Sequence, residues 1–177
     1  MFRFVTRRPT QRFPASLVAA ALMMLPLPAL AESPQPLGTF RDWNAYSFTE
    51  GSKKTCFAAS APVDSEPKGA RRGDIHLIVT NRPADKVAGE ISIAAGYEFK
   101  EGAKATLEVD GKSYDLTTKG ENAWTASPDV DKTVTQAMIK ANDLAVRGMS
   151  ARNTRTTDRF SLNGFKAAYD AIAKACR

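Results

Sequence analysis

Residues 105–117 have the sequence ATLEVDGKSYDLT, and this stretch decides the fold class. Apolar and polar residues alternate on both sides of Asp110 and Gly111, a period of two that is typical of strands with one buried face. Asp-Gly accepts the positive φ angles of a tight two-residue turn. The stretch therefore predicts two antiparallel strands joined by a hairpin.

Further strands are predicted on both sides of this hairpin. The β-branched run IHLIVT (75–80) is the candidate for the central strand. Shorter extended patterns occur at GTFRDWNAYSF (38–48), TCFAASAP (55–62), EISIAAGYEF (90–99), NAWTAS (122–127) and LAVRGMSARNTRTTDRFSL (144–162). Residues 63–74 are polar and rich in turn-forming residues, which predicts an exposed loop. Six to nine short strands are expected.

Two segments change to the helical period. In SPDVDKTVTQAMIKAND (127–143), Ser127 can cap a helix and Pro128 suits its first position. In the final segment, five residues share one helical face: Phe165, Ala168, Tyr169, Ile172 and Cys176. The sequence predicts a mostly β protein, an antiparallel β-sandwich with two short helices, one of them C-terminal.

Residues 1–31 have the pattern of a secretory signal peptide. Four arginines and no acidic residue precede an apolar run from Ser16 to Leu30, and Ala29 and Ala31 form an A-x-A cleavage site. A membrane anchor is the weaker alternative, because the run is shorter than the roughly 20 residues that a spanning helix needs. A Pro-rich leader over 32–37 and one domain over 38–177 are predicted, in the periplasm or secreted, with outer-membrane association as a further location.

Removal of the signal peptide changes the net charge. The precursor has 25 basic and 19 acidic residues, but four of the basic ones lie in residues 1–31, so the mature chain carries only +2. A strongly basic surface is the usual electrostatic footprint of nucleic-acid binding. The sequence therefore predicts no nucleic-acid partner, and it predicts no transmembrane segment in the mature chain.

Cys56 and Cys176 are the two cysteines of the chain. In an exported protein such a pair predicts a disulfide, since the compartment is oxidising. A structural zinc site needs four ligands, and the single histidine, His76, does not complete one. A disulfide closing 120 residues would stabilise the fold by roughly 4 to 5 kcal/mol. A free or intermolecular thiol is the alternative.

A catalytic set is not evident in the sequence. The histidine lies inside the apolar run DIHLIVT, where a strand residue at a sandwich edge or in the core, with a satisfied ring, is favoured over a catalytic base. No nucleophile elbow or phosphate-binding glycine loop is present. Asp129 and Asp131 begin a predicted helix, where capping is favoured over a calcium site. Trp43 and Trp124 are expected in or at the edge of the core rather than as a carbohydrate platform. We expect no metal, no cofactor and no enzymatic activity.

Arginines indicate one potential binding surface. Three lie within eight residues and two lie in the predicted loop: Arg152, Arg155 and Arg159, with Arg71 and Arg72. If these segments meet, their guanidinium groups form a patch for the phosphate or carboxylate groups of lipid A, anionic lipids or cell-wall polymers. The alternative is a solvated face with local ion pairs.

Several stretches, taken in order, resemble the invasion-associated locus B family of alphaproteobacteria. They are FRDWNAYSF (40–48), Cys56, RRGDIHLIVTNRPADK (71–86), LEVDGKSYDL (107–116), AW (123–124) before a helix, and SARNTRTTDRFSLNGFKAAYDAIAKAC (150–176). The resemblance spans Gly38 to Cys176. It implies an exported protein with an immunoglobulin-like sandwich and no catalytic motif, and some relatives are linked to host-cell entry.

The predicted function is therefore that of an exported, non-enzymatic protein with a binding role at the envelope or cell surface. Its partner would be a protein or an anionic polymer, and the resemblance extends this role to host-cell interaction or invasion. The alternative is a periplasmic hydrolase acting on envelope polymers.

Overall fold

The predicted hairpin is present in the structure, a computed structural model that describes residues 33–177. Strands β7 (Ala105–Val109) and β8 (Lys112–Lys119) pair in antiparallel register around Asp110 and Gly111, whose φ angles are 52° and 67°. These angles suit the two-residue turn that the sequence predicts. The predicted signal peptide, residues 1–31, lies outside the described residues.

The described residues form eleven strands, two α-helices and one short 3-10 turn at Pro83–Asp85. The remaining strands are β1 (Gln35–Phe40), β2 (Trp43–Glu50), β3 (Lys53–Ser60), β4 (Asp64–Glu66), β5 (His76–Arg82), β6 (Val87–Ala94), β9 (Asn122–Thr125), β10 (Asp143–Met149) and β11 (Arg155–Ser161). The helices are α1 (Pro128–Met138) and α2 (Phe165–Ala175). This count exceeds the six to nine strands expected from the sequence.

All eleven strands belong to one antiparallel sheet. Their order is β1-β2-β3-β5-β6-β9-β8-β7-β10-β11-β4. We call β1, β2, β3, β5 and β6 the first half of the sheet, and β9, β8, β7, β10, β11 and β4 the second half. The halves are joined by the pairing of β6 with β9.

The sheet folds over so that its two halves enclose one core. The Trp43 indole on β2 donates a hydrogen bond to the Ser161 carbonyl on β11 at 3.0 Å. In a flat sheet these strands would lie about 38 Å apart, eight spacings of about 4.8 Å. The core draws its fully buried side chains from both halves. The predicted mostly β fold with two helices, one C-terminal, is confirmed, and the two layers of the sandwich are halves of one sheet.

Both helices pack against the inner side of the sheet. In α1, the Ser127 hydroxyl accepts a hydrogen bond from the Val130 N–H at 3.4 Å and Pro128 takes the first position, as predicted. In α2, the Phe165 ring lies 4.8 Å from that of Trp43. Gly164, before α2, has φ of +92°, and a Cβ there would lie 1.9 Å from the Phe40 carbonyl oxygen, so this approach requires glycine.

A disulfide joins the end of α2 to the sheet. Cys176, at the C-terminal cap of α2, is bonded to Cys56 on β3, as the sequence predicts. Cys56 is fully buried and Cys176 is 8% exposed. Four of the five residues predicted on the buried face of α2 are buried, and Tyr169 is partly buried. The last element of the chain is therefore fixed to an early strand.

Two segments differ from their sequence-based predictions. Residues 38–48 are not one strand, because Arg41 has φ of 55° and reverses the chain between β1 and β2. The leader predicted over 32–37 overlaps β1, in which Pro36 is tolerated because β1 is an edge strand. The loop predicted over 63–74 contains β4, which pairs with β11.

Candidate functional site

Arg72 does not belong to an exposed patch, so its prediction as a binding residue is wrong. Its guanidinium donates two hydrogen bonds to the Asp158 carboxylate, both at 2.7 Å, and further bonds to the Ala95 carbonyl. The Arg72 and Asp158 side chains are only 7% and 2% exposed. Arg72 also lies 4.8 Å from the centre of the Tyr97 ring, a cation–π distance. The ion pair holds the segment before β5 against the inside of β11.

The other four predicted arginines lie in two places. Arg152 is in the turn after β10 and donates a hydrogen bond to the Arg71 carbonyl at 3.2 Å, so these two residues do meet. Arg155 and Arg159 are exposed on the outer side of β11. The structure therefore contains no single surface formed by all five arginines.

The outer side of β7, β10, β11 and β4 carries charges of both signs, and we call it the charged face. Arg147 donates hydrogen bonds to Glu108 at 3.3 Å and to the Thr157 hydroxyl at 3.2 Å. The strand register places Asp64 opposite Arg159. Neighbouring positions with opposite charges are typical of a solvated sheet surface.

The outer side of β2, β3 and β5 is instead lined by partly exposed apolar side chains. Tyr46, Phe48, Phe57 and Ile78 lie there, and none belongs to the core cluster. Two concavities of about 540 and 330 Å³ share Phe57 and Ile78 in their linings. We call this continuous depression the aromatic groove.

The rings in the aromatic groove contact one another across strands. Tyr46 and Phe57 are stacked with centroids 5.2 Å apart and planes 25° apart, and Phe48 meets Phe57 edge-on at 6.3 Å. These residues face away from the core because inward positions alternate with outward ones along a strand. Ala45 and Cys56, their inward neighbours, are fully buried. The groove is thus a second apolar surface on the far side of strands that already cover the core.

Charged side chains surround one end of the aromatic groove. Lys53 pairs with Asp85 at 3.1 Å, and Arg82 pairs with Glu90 at 2.8 Å. The Glu90 carboxylate, by accepting hydrogen bonds from Arg82, raises the pKa of that guanidinium above its ordinary value. Lys54 also lines this end. Most of these charges are therefore neutralised within the protein.

His76 lies at the other end of the aromatic groove. It is the first residue of β5 and is exposed, so the prediction of a strand residue is confirmed, and the ring lies at the end of the strand rather than in the core. Ser60 lines the same end, but its hydroxyl donates to the Asp42 carbonyl at 2.7 Å. Among the described residues lining this end, no carboxylate completes a nucleophile, base and acid set.

Trp43 and Trp124 have different environments. Trp43 is fully buried, as predicted. Trp124 is partly exposed on β9, where the register places it opposite Ser92 on β6. It lies outside the core cluster.

Asp131 is buried where the two halves of the sheet meet. Its carboxylate accepts hydrogen bonds from the Ile91 N–H of β6 at 2.9 Å and from the Thr125 hydroxyl of β9. Burial raises the pKa of this carboxyl above its usual value. The predicted capping role is wrong for Asp131, because its carboxylate bonds to the sheet. Within residues 33–177, no three metal-ligating side chains come together.

The fold and these surfaces define a disulfide-linked β-sandwich domain with a C-terminal helix and two chemically different outer faces. The model of the invasion associated locus B (IalB) protein family matches residues 43–173, and the chain belongs to this family. The predicted family resemblance is therefore confirmed.

The chain is also similar to a solved structure, the crystal structure of invasion associated protein B from Bartonella henselae. The match has 15% sequence identity and a TM-score of 0.58, and it covers 81% of this chain and 97% of that one. At this identity the likeness concerns the fold. No curated protein matches the chain. None of the helices in the described residues is long and apolar enough to span a membrane.

Proposed function

We propose that this protein is an exported, non-enzymatic binding protein that holds a component of the bacterial envelope or of a cell surface in its aromatic groove. One observation carries the proposal: Tyr46, Phe48, Phe57 and Ile78 are contiguous and partly exposed on the outer side of the sheet. Large contiguous apolar patches on soluble domains usually mark binding sites. Both helices of the described residues pack on the inner side and leave these side chains uncovered.

Export to the periplasm or exterior is supported by two independent features. The first is the signal-peptide pattern of residues 1–31. The second is the disulfide between Cys56 and Cys176, which persists in oxidising compartments. Membership of the IalB family supports a role linked to host-cell interaction, exerted through the bound component.

The non-enzymatic part of the proposal is supported by the surroundings of His76. Ser60, the hydroxyl residue at the same end of the groove, already donates to a backbone carbonyl. A hydrolase acting on envelope polymers would need a base and an orienting acid there. Loss of polymer cleavage in a His76→Ala variant, with cleavage by the unmodified protein, would establish the hydrolase alternative instead.

Capture from the native envelope tests the proposal. The tagged chain 32–177 is incubated with the envelope fraction of its own bacterium, and retained material is identified by mass spectrometry. The groove variant is Tyr46→Thr/Phe48→Thr, which replaces two rings by residues that favour strands. The matched control is Arg155→Ala/Arg159→Ala on the charged face.

We expect the unmodified chain and the control to retain the same component and the groove variant to lose it. Thermal melts establish that both variants remain folded. Equal retention by a folded groove variant would show that the aromatic groove is not the binding site.

A further inference from the structure

The aromatic groove also has features that select a ligand class, and we propose that it binds a neutral glycan chain. This inference rests on the proposed function, because it concerns the same site. It specifies the occupant from the charge, the hydrogen-bonding capacity and the length of the groove.

The charges at the rim of the groove disfavour a charged ligand. Lys53 is paired with Asp85, and Arg82 lies between Glu90 and Asp85, at 2.8 and 3.7 Å. Because each of these cations already faces a carboxylate, an anionic polymer would gain little net attraction. A cationic ligand would meet both Lys54 and Glu50 at the same end, whose opposite charges offset each other. The groove therefore suits a ligand without net charge.

The backbone beneath the groove is unavailable to a ligand. Strands β2, β3 and β5 each pair with a strand on both sides, from β1 through to β6. A peptide therefore cannot bind here by adding a strand, which requires an open edge. A ligand on this face is recognised through the exposed rings and through polar side chains.

Hydrogen-bonding side chains lie beside the rings of the groove. Thr55 is two residues from Phe57 on β3, Asn44 is two residues from Tyr46 on β2, and Thr80, which is 8% exposed, is opposite Phe57 on β5. A sugar ring has an apolar C–H face that stacks on an aromatic ring and hydroxyl groups at its edge that bond to such side chains. A lipid chain would gain most from an enclosed slot, whereas this groove is open along its length.

The groove is long enough for several sugar units. It follows β3 from Lys53 to Ser60. Eight strand residues span about 24 Å at about 3.4 Å per residue. An oligomeric chain, rather than a single small molecule, fills this length.

Selective destruction of envelope components tests the ligand class. The envelope fraction is treated with periodate, which cleaves the vicinal diols of sugars, with protease, or with organic solvent that extracts lipid. Capture by the unmodified chain is then compared with capture by Tyr46→Thr/Phe48→Thr and by Tyr46→Phe, which keeps the ring. Each capture is measured at 50 and 500 mM NaCl.

We expect periodate to abolish capture. Treatment with protease or with organic solvent should leave capture intact. Capture should fall by about tenfold or more in the double variant, because aromatic anchors dominate binding energy. It should be unchanged in Tyr46→Phe, and it should change by less than about twofold between the two salt concentrations, since a neutral ligand gives little screening.

Two results would overturn the inference while the proposed function stands. Capture that survives periodate but is lost after protease or solvent would assign the groove to a protein or a lipid. Capture that falls steeply with salt would assign it to a charged polymer. Capture that is equal in the folded double variant would instead overturn the proposed function itself.

Discussion

The two halves of the sheet have similar inner faces and opposite outer faces. Inward residues such as Val79 in the first half and Leu107 in the second half are fully buried. The outer side of the first half carries Tyr46 and Phe57, whereas the second half carries Arg147 and its carboxylate partner. A sheet face that is in contact with water carries polar or charged side chains, so the solvation of this outer side is enough to explain the charged face. Folding alone does not explain the aromatic groove, which is why we assign the binding role there.

Each half also has its own long-range link on the inner side. Behind the aromatic groove, Cys56 lies between Thr55 and Phe57 and is bonded to Cys176. Behind the charged face, Asp158 lies between Thr157 and Arg159 and is paired with Arg72. One link is covalent and one is ionic. Variants that remove each link in turn test how much it contributes to stability.

The largest effect is expected from removal of the disulfide. Cys176→Ser should lower the free energy of unfolding by a few kcal/mol, up to the roughly 4 to 5 kcal/mol that the closed loop allows. The loss should fall first on α2, because an 11-residue helix is marginal without docking. Denaturant unfolding measures the free energy, and amide hydrogen exchange locates the loss.

Cys56→Ser and the double variant are the controls for this prediction. Since both cysteines serve one bond, all three variants should lose the same stability, and the unmodified protein should show no thiol reactive to labelling. Losses that add independently in the double variant would contradict the pairing.

Breaking the ionic link should have an effect of similar size. Asp158→Asn removes the charge partner of the buried Arg72 guanidinium and should cost about 3 to 5 kcal/mol, because a buried charge is left uncompensated. The matched control is Asp64→Asn on β4, whose side chain is 39% exposed and paired with Lys68. We expect the control to change stability by less than about 1 kcal/mol. Similar urea midpoints for the two variants would show that the buried pair is not a specific link.

The sequence predicts those parts of the molecule that depend on local pattern. The Asp110-Gly111 turn, the Ser127 cap and the apolar face of α2 each follow from a few neighbouring residues, and the structure contains all three. The disulfide follows from a count of two cysteines in a chain with a predicted signal peptide. The overall mostly β class follows from the sum of these local signals.

The features that sequence reasoning missed depend on contacts between distant residues. Arg72 lies in a polar segment typical of exposed loops, and its burial depends on Asp158, 86 residues away. The aromatic groove combines residues of three strands, and sequence reasoning did not predict it. One local pattern in β2 nevertheless pointed to it. Along β2, aromatic residues occur on both parities, with Trp43 inward and Tyr46 and Phe48 outward. Aromatic residues on both faces of a strand are typical of a sheet whose two faces are both packed against other elements. In residues 33–177 the core packs against the inner face of β2, and the rings on its outer face are partly exposed.

The junction between the two halves should respond to pH. Burial of Asp131 raises its pKa in the folded protein above the unfolded value of 3.8. A raised folded pKa means that the folded state binds the proton more tightly, so this group's contribution is fully present below pH 3.8 and is lost as pH rises through the folded pKa. Asp131→Asn keeps an acceptor oxygen for Ile91 and Thr125 but does not titrate. On acidification from pH 7 to 4, the free energy of unfolding of the unmodified protein should therefore rise relative to that of Asp131→Asn.

Thermal melts of the two proteins across this range check the prediction. Asp129→Asn is the control, since Asp129 is exposed in the same helical turn. A difference that stays constant with pH, or one that shifts in favour of Asp131→Asn on acidification, would show that Asp131 is not protonated more readily in the folded state.

The smallest effects are expected on the charged face. Arg155 and Arg159 are exposed, and the register places Asp64 beside Arg159, so Arg155→Ala/Arg159→Ala should change the free energy of unfolding by about 0.5 kcal/mol or less. Capture of the envelope component should fall by less than about twofold, because the groove is untouched.

Titration with lipid A vesicles at 50 and 500 mM NaCl tests the opposite outcome, in which these arginines bind an anionic partner. Binding that depends on both arginines and weakens steeply with salt would show that the charged face, as well as the aromatic groove, recognises a partner, and the anionic-partner prediction would then hold for these two residues.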